Sequence, residues 1–152
     1  MLRLTCLVVS ILVSATVSNV WAGPEEEVAQ LRQQRIQAFN DGNLETFMDS
    51  FADNAVVTPP GEPFRIEGKD AIRAYYAALF QNFPTRRVIA RQSSIRVYQD
   101  STAIVNTYAH LILVDRSGKR TVINGRASFT YVRAGGRWMM VDQHSSVLPA
   151  SQ

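Results

Sequence analysis

Gly125–Val147 reads GRASFTYVRAGGRWMMVDQHSSV, and its pattern decides the fold. Two period-two runs flank Ala134-Gly135-Gly136, and such a pair joined by a glycine turn is the signature of a β-hairpin. Moving outward, the same period continues toward the N-terminus. Val88–Tyr98 is a strand, Gln99-Asp100-Ser101 a turn, and Ala103–Val114 the next strand. Asp115-Arg116-Ser117-Gly118-Lys119 then turns the chain into Arg120–Val132, whose partner is Arg137–Val147. Short turns between consecutive long strands predict an antiparallel meander.

Upstream the period changes to that of a helix. Glu25-Glu26-Glu27 places carboxylates where the first turn exposes its amides, and Val28, Leu31, Arg35, Ala38 and Phe39 follow on one face. Gly42 is the expected left-handed cap. Leu44–Phe51 reads as a shorter helix, Asp53-Asn54 as a turn and Ala55–Thr58 as a short strand. Pro59-Pro60-Gly61-Glu62-Pro63 cannot sustain a ladder and must be a loop. A third helix runs from Gly68-Lys69-Asp70 to Phe83, with Ile72, Tyr75, Tyr76, Leu79 and Phe80 inward. Helices first and strands after imply an α+β domain: a cone-shaped, curved antiparallel sheet with three N-terminal helices packed on its concave face.

Composition bounds the compartment and excludes some chemistry. Residues 1–22 begin with Met1-Leu2-Arg3, continue in an uncharged run from Leu4 to Val17, and end in Val20-Trp21-Ala22. That is the layout of a cleaved signal peptide, and the run is short for a bilayer span. The expected mature domain is therefore 23–152, exported to a periplasm or secreted, with no membrane association after cleavage. Cleavage removes Arg3, lowering the formal net charge of +3 by one, too weak a balance for a nucleic-acid footprint. The one cysteine, Cys6, leaves with the leader. The mature chain then has no disulfide, thiol nucleophile or thiolate ligand, and one hydrophobic core must hold it.

The order of elements and several local words resemble the nuclear transport factor 2-like superfamily, which includes SnoaL-like polyketide cyclases, ketosteroid isomerases and limonene epoxide hydrolases. The words are Phe39-Asn40-Asp41-Gly42-Asn43-Leu44, Phe51-Ala52-Asp53-Asn54-Ala55-Val56-Val57 and Ile66-Glu67-Gly68-Lys69-Asp70-Ala71-Ile72. Gly135-Gly136-Arg137-Trp138-Met139-Met140-Val141-Asp142-Gln143-His144-Ser145-Ser146 resembles the closing strand of the calcium/calmodulin-dependent protein kinase II association domain and its bacterial relatives. The resemblance implies a conical pocket between helices and sheet, and homodimers formed through the outer sheet face. It does not imply one reaction, because this fold hosts unrelated functions. Ala109, Phe129 and Ser145 stand where the kinase domain carries its pocket arginines, so that binding mode does not transfer. Neither the acid–tyrosine arrangement of the isomerases nor the Asp-Arg-Asp cluster of the epoxide hydrolases has a match.

Strand parity sorts the candidate residues. On the last strand Met139, Val141, Gln143 and Ser145 share one face, and Trp138, Met140, Asp142, His144 and Ser146 share the other. On Arg120–Val132 the apolar set is Ile123, Ala127, Phe129 and Tyr131. On Ala103–Val114 the split is Ala103, Val105, Thr107, Ala109 and Leu111 against Ile104, Asn106, Tyr108, His110 and Ile112. The expected ligand set is therefore Tyr75, Tyr76, Phe80, Phe129, Tyr131 and Gln143. Arg35 either snorkels to water or sits near the pocket mouth. Asp142 and His144 project together and are the candidates for acid–base catalysis, although parity assigns them with Trp138 to the face turned toward a partner subunit. His110, His144 and Asp142 form the one conceivable metal set, and neither metal nor cofactor is expected. The leading expectation is an exported binding or accessory module for a small hydrophobic ligand. An isomerase, cyclase or hydrolase is the second reading, and an oligomerisation hub the third.

Overall fold

A computed structural model describes residues 23–149; the proposed leader lies outside the described residues. Three helices precede the long strands: α1 Pro24–Asp41, α2 Leu44–Met48 and α3 Lys69–Asn82. The strands are β1 Phe51–Thr58, β2 Ile66–Glu67, β3 Thr85–Tyr98, β4 Thr102–Val114, β5 Arg120–Ala134 and β6 Arg137–Val147. They form one six-stranded sheet in the order β2-β1-β6-β5-β4-β3. The meander from β3 to β6 is antiparallel throughout, as the alternation predicts. The α+β cone of the nuclear transport factor 2-like fold is thus the architecture of this chain.

Two parts differ from the sequence reading. The second helix stops at Met48 rather than Phe51, because Phe51 enters the sheet opposite Met140. The expected turn at Asp53-Asn54 is a bulge within β1: pairing with β6 passes from Phe51↔Met140 to Val56↔Asp142. Five positions on β1 thus span two on β6, so the polar pair loops out of the ladder without ending the strand.

Single-residue bulges turn the faces of two further strands. In β3 the register slips between Arg91↔Tyr108 and Ser94↔Asn106, where Gln92 adopts φ 39°. Val88 and Ala90 face inward before the slip, while Ile95 and Val97 lie opposite the buried Val105 and Ala103 after it. In β6, Thr130↔Asp142 is followed by Tyr131↔Met140, leaving Val141 as the extra residue. Gln143 points inward on one side of that bulge, and Met140 and Trp138 point inward on the other. Strict alternation therefore fails for Trp138. It is buried in the core and donates its indole N–H to Glu27 Oε2 at 2.8 Å, instead of sharing the outer face with Asp142 and His144.

The core joins α1 and α2 to the inner sheet face through Val28, Met48, Phe51, Val57, Val105 and Met140, all fully buried. Phe39, Phe47, Phe51, Tyr76 and Phe80 form a ring cluster with centroids 4.6–6.4 Å apart, several edge to face. Such pairs add roughly 0.5–1.5 kcal/mol each beyond area burial. Arg86 ties the helices to the sheet. Its Nε donates to Phe39 O at 2.8 Å and its Nη1 to Phe83 O at 2.7 Å, adding donors to carbonyls at the C-terminal ends of α1 and α3.

Candidate functional site

Between α1, α3 and the concave sheet face lies an open cavity of about 270 Å³, near the lower end for small-molecule sites. Its walls are apolar: Ile36, Leu79, Val88, Ala109, Leu111 and Ile123 are among them. These positions fall inward because helical and strand periods place them there, with the β3 bulge bringing Val88 and Ala90 into register with β4. Small residues at Ala90, Ala109 and Ala127 keep the space open, and Gly125 admits the Ser146 carbonyl, which would lie 2.9 Å from an added Cβ.

The polar part is concentrated on one patch. Arg35 is 7% exposed, and its Nη2 donates to Gln143 Oε1 at 2.6 Å. The guanidinium carbon lies 4.6 Å from the Phe47 ring centroid, 5.1 Å from Phe51 and 5.3 Å from Phe129, within the range where ring quadrupoles attract a cation. Gln143 Nε2 in turn donates to Tyr76 Oη and to Ser145 Oγ, both at 3.3 Å. Arg32, one turn before Arg35, donates from Nη2 to Ser93 Oγ at 2.9 Å and to Thr107 Oγ1 at 3.2 Å. The β3 bulge is what brings Ser93 to Thr107, 2.8 Å away.

Burial perturbs these groups. Desolvation lowers the Arg32 pKa, a negative charge on Tyr131 would act against that, and neighbouring Arg35 adds to it. Desolvation raises the Tyr76 hydroxyl, opposed by Arg35 and the Gln143 hydrogen bond. Tyr75, at the cavity edge, is pushed up to about 12, mainly by desolvation and further by Tyr76 and Glu62. The two tyrosine shifts carry those hydroxyls further above neutral pH.

Of the residues expected from sequence, Arg35, Tyr75, Tyr76, Phe129 and Gln143 line the cavity. Phe80 and Tyr131 stand outside its wall: Phe80 stacks under the Arg86 guanidinium at 4.0 Å, and Tyr131 is fully buried in the core. Arg35 neither snorkels nor sits at the mouth. It turns inward beneath the rings, because Gln143 offers its carbonyl oxygen there. Arg32, Thr107 and Ser145 were not singled out as ligand contacts. The three-residue spacing of Arg32 and Arg35 in LRQQR was the signal for the first.

Asp142 and His144 are exposed on the outer sheet face, away from the cavity lining. His110 shares that face, with its Nδ1 2.6 Å from Asn124 Oδ1. It is separated from His144 by β5, and their β5 partners, Asn124 and Ser128, are four residues apart, about 13 Å along the strand. The conceivable metal set is therefore not assembled. Among the described residues no cluster of three His, Cys, Asp or Glu has metal-binding geometry, and no helix is long and apolar enough to cross a membrane.

A cone-shaped α+β domain with a cavity between its helices and a curved, unclosed sheet defines the structural class. Residues 28–151 match the family profile of the SnoaL-like domain, and the chain belongs to that family. Similar solved structures include a candidate calcium/calmodulin-dependent protein kinase II association domain from Xanthomonas campestris, with TM-score 0.74, 22% identity, and coverage of 91% of this chain and 100% of that one. A nuclear transport factor 2-like superfamily protein from Salmonella enterica aligns with TM-score 0.75 and 17% identity over 85% of this chain and 94% of its own. A candidate dehydratase of the same family from Streptomyces avermitilis aligns with TM-score 0.74 and 19% identity over 82% and 97%. At these identities the likeness establishes the fold alone. No curated protein matches the chain in sequence.

Proposed function

We propose that this chain is an exported, homodimeric protein that binds a small organic molecule in its cone without transforming it. The observation carrying the reading is the lining of the cavity. It is open and mostly apolar with a few convergent polar groups, the usual composition of a ligand site. It also contains no carboxylate, imidazole or thiol among its described residues. General acid–base or nucleophilic catalysis near neutral pH draws mainly on such groups, and the hydroxyls of Thr107 and Ser145 have no base beside them. An apolar ligand body would meet Leu79, Leu111 and Ala109, while Gln143 and Tyr76 fix its orientation.

The homodimer is supported by the outer sheet face. Tyr108 is 44% and Val122 43% exposed there, beside Ile104 and Ile112, and a paired copy would cover them. Export rests on the leader-like residues 1–22.

Native mass spectrometry of the secreted or periplasmic protein tests all three parts together. The expected species begins at Gly23, is a dimer, and releases an unmodified organic molecule on denaturation. An unliganded monomer retaining residues 1–22 would refute the proposal. Conversion of a released molecule to a product on incubation would favour the enzyme reading, which the dehydratase-named relative keeps in view.

A further inference from the structure

Among the described residues Arg35 has no carboxylate partner. Among the described residues the ion pairs are Arg65–Glu67, Arg73–Glu45 and Arg133–Glu27. None includes Arg35 or Arg32. Burying a guanidinium is unfavourable unless it is paired or fully hydrogen-bonded. Here the compensation is partial: one amide oxygen, three ring faces, and an Nε that is buried without any acceptor. The Tyr131 hydroxyl is likewise buried and unpartnered, and Arg32 brings a second positive charge within one helical turn. A chain with 13 acidic residues places none of them on this cavity. The free protein therefore buries Arg35 beside a cavity that also meets the half-buried Arg32 and the exposed Arg126 but no carboxylate.

We propose that the missing charge belongs to the ligand, and that the cavity takes a small organic acid with its carboxylate against Arg35 and its apolar body toward Leu79 and Leu111. This rests on the reading of the cone as a binding pocket and specifies the ligand class. The planar fork of Arg35 suits a carboxylate, with Gln143 Oε1 releasing one guanidinium N–H to the incoming oxygen and Gln143 Nε2 exchanging its 3.3 Å bond to Ser145 Oγ for one to the ligand. Phe47 and Phe129 on the cavity wall offer no hydrogen bonds to the further oxygens of a dianionic phosphate. The apolar walls above the patch fit an aryl or short alkyl body rather than a sugar or a peptide. The cavity volume of about 270 Å³ restricts that body to a single ring or a short chain.

Isothermal titration of the intact protein with 4-ethylbenzoate and octanoate, each against its neutral amide, tests the assignment. The acids should bind about tenfold to a hundredfold tighter than the amides, the advantage of charge-assisted over neutral hydrogen bonds. Arg35→Met should remove that preference by weakening acid binding more than amide binding, and Arg35→Lys should retain part of it. Circular dichroism confirms that each variant is folded. Equal binding of acid and amide, or a preference that survives Arg35→Met, overturns the anion subsite and leaves the pocket standing. Inorganic phosphate competing as well as the acids overturns the carboxylate assignment. Binding of neither acid nor amide, with no molecule retained in native mass spectrometry, overturns the subsite and the binding function together. A retained neutral molecule overturns the subsite alone.

Discussion

The Arg35–Gln143 pair is the most informative place to perturb the fold. Replacing both partners by apolar residues of similar shape, Arg35→Met with Gln143→Leu, removes a buried cation whose desolvation costs several kcal/mol. What is lost is one charge-assisted hydrogen bond at 2.6 Å, worth about 1.5–3 kcal/mol. The three cation–ring contacts are lost too, but methionine sulfur against the same rings recovers about 0.3–1.5 kcal/mol per contact. Apolar replacement of a buried ionic set typically comes out neutral to about 4 kcal/mol stabilising, so the double variant should be more stable than the parent by about 1–3 kcal/mol. Gln143→Leu alone leaves the guanidinium without its acceptor and should destabilise by about 2–3 kcal/mol. Arg35→Met alone should lie between the parent and the double variant, because it orphans only a neutral carbonyl. Urea unfolding followed by circular dichroism, at one protein concentration and without ligand, gives all four values and the coupling energy. A double variant less stable than the parent would refute the reasoning, since Arg35 would then be a structural cation rather than one awaiting a ligand.

Other positions give sharper local tests. Gly42 has φ 79°, and an added Cβ would lie 2.1 Å from Arg86 Nη2, whereas Gly118, at φ 85°, has nothing within 4 Å. Gly118→Ala should therefore cost only the left-handed penalty of about 1–2 kcal/mol. Gly42→Ala should cost about 3 kcal/mol once Arg86 gives up a carbonyl; equal midpoints in urea would sink this account. For Tyr75 the folded hydroxyl, at about 12, holds its proton above the pH where the unfolded one loses it. Stability should fall as pH rises from about 10 toward 12, and Tyr75→Phe should flatten that fall in alkaline thermal melts. Asp142→Asn and His144→Gln alter exposed side chains on the outer face, and each should change stability by less than about 0.5 kcal/mol while leaving titrations of the cavity unchanged. An effect of either on affinity would return them to the functional site.

The elements themselves were legible because their periods are regular and their ends are punctuated. Gly42 caps α1, Gly135-Gly136 closes the β5–β6 turn, and both stand where glycine alone is free to turn the chain. The cavity was half legible. Tyr75, Tyr76, Phe129 and Gln143 follow from helix face and strand parity. Tyr131, two residues from Phe129, follows from the same parity, yet it lies in the core beyond the cavity wall. Parity assigns a side of the sheet and says nothing of depth along the strand. Depth is set by where helices cover the sheet, which a single-strand pattern does not encode.

Bulges account for the rest. Those in β3 and β6 each insert one residue without a marker in composition, and from there on inward and outward exchange places. At Val141 the exchange is what allows Gln143 to reach Arg35 from one side of the bulge while Trp138 reaches Glu27 from the other. A flat, unbulged β6 would present either Gln143 or Trp138 to the interior, never both. At Gln92 the exchange delivers Ser93 to Arg32 and Thr107, and still buries Ile95 and Val97 against the core. Both bulges thus join a polar group, one on the cavity and one bonded to its residues, to an apolar stretch of the same strand. A cone needs bends at these places to close around its helices, and the same bends set the polar patch into an otherwise apolar wall. The curvature of the sheet and the chemistry of its cavity have one cause.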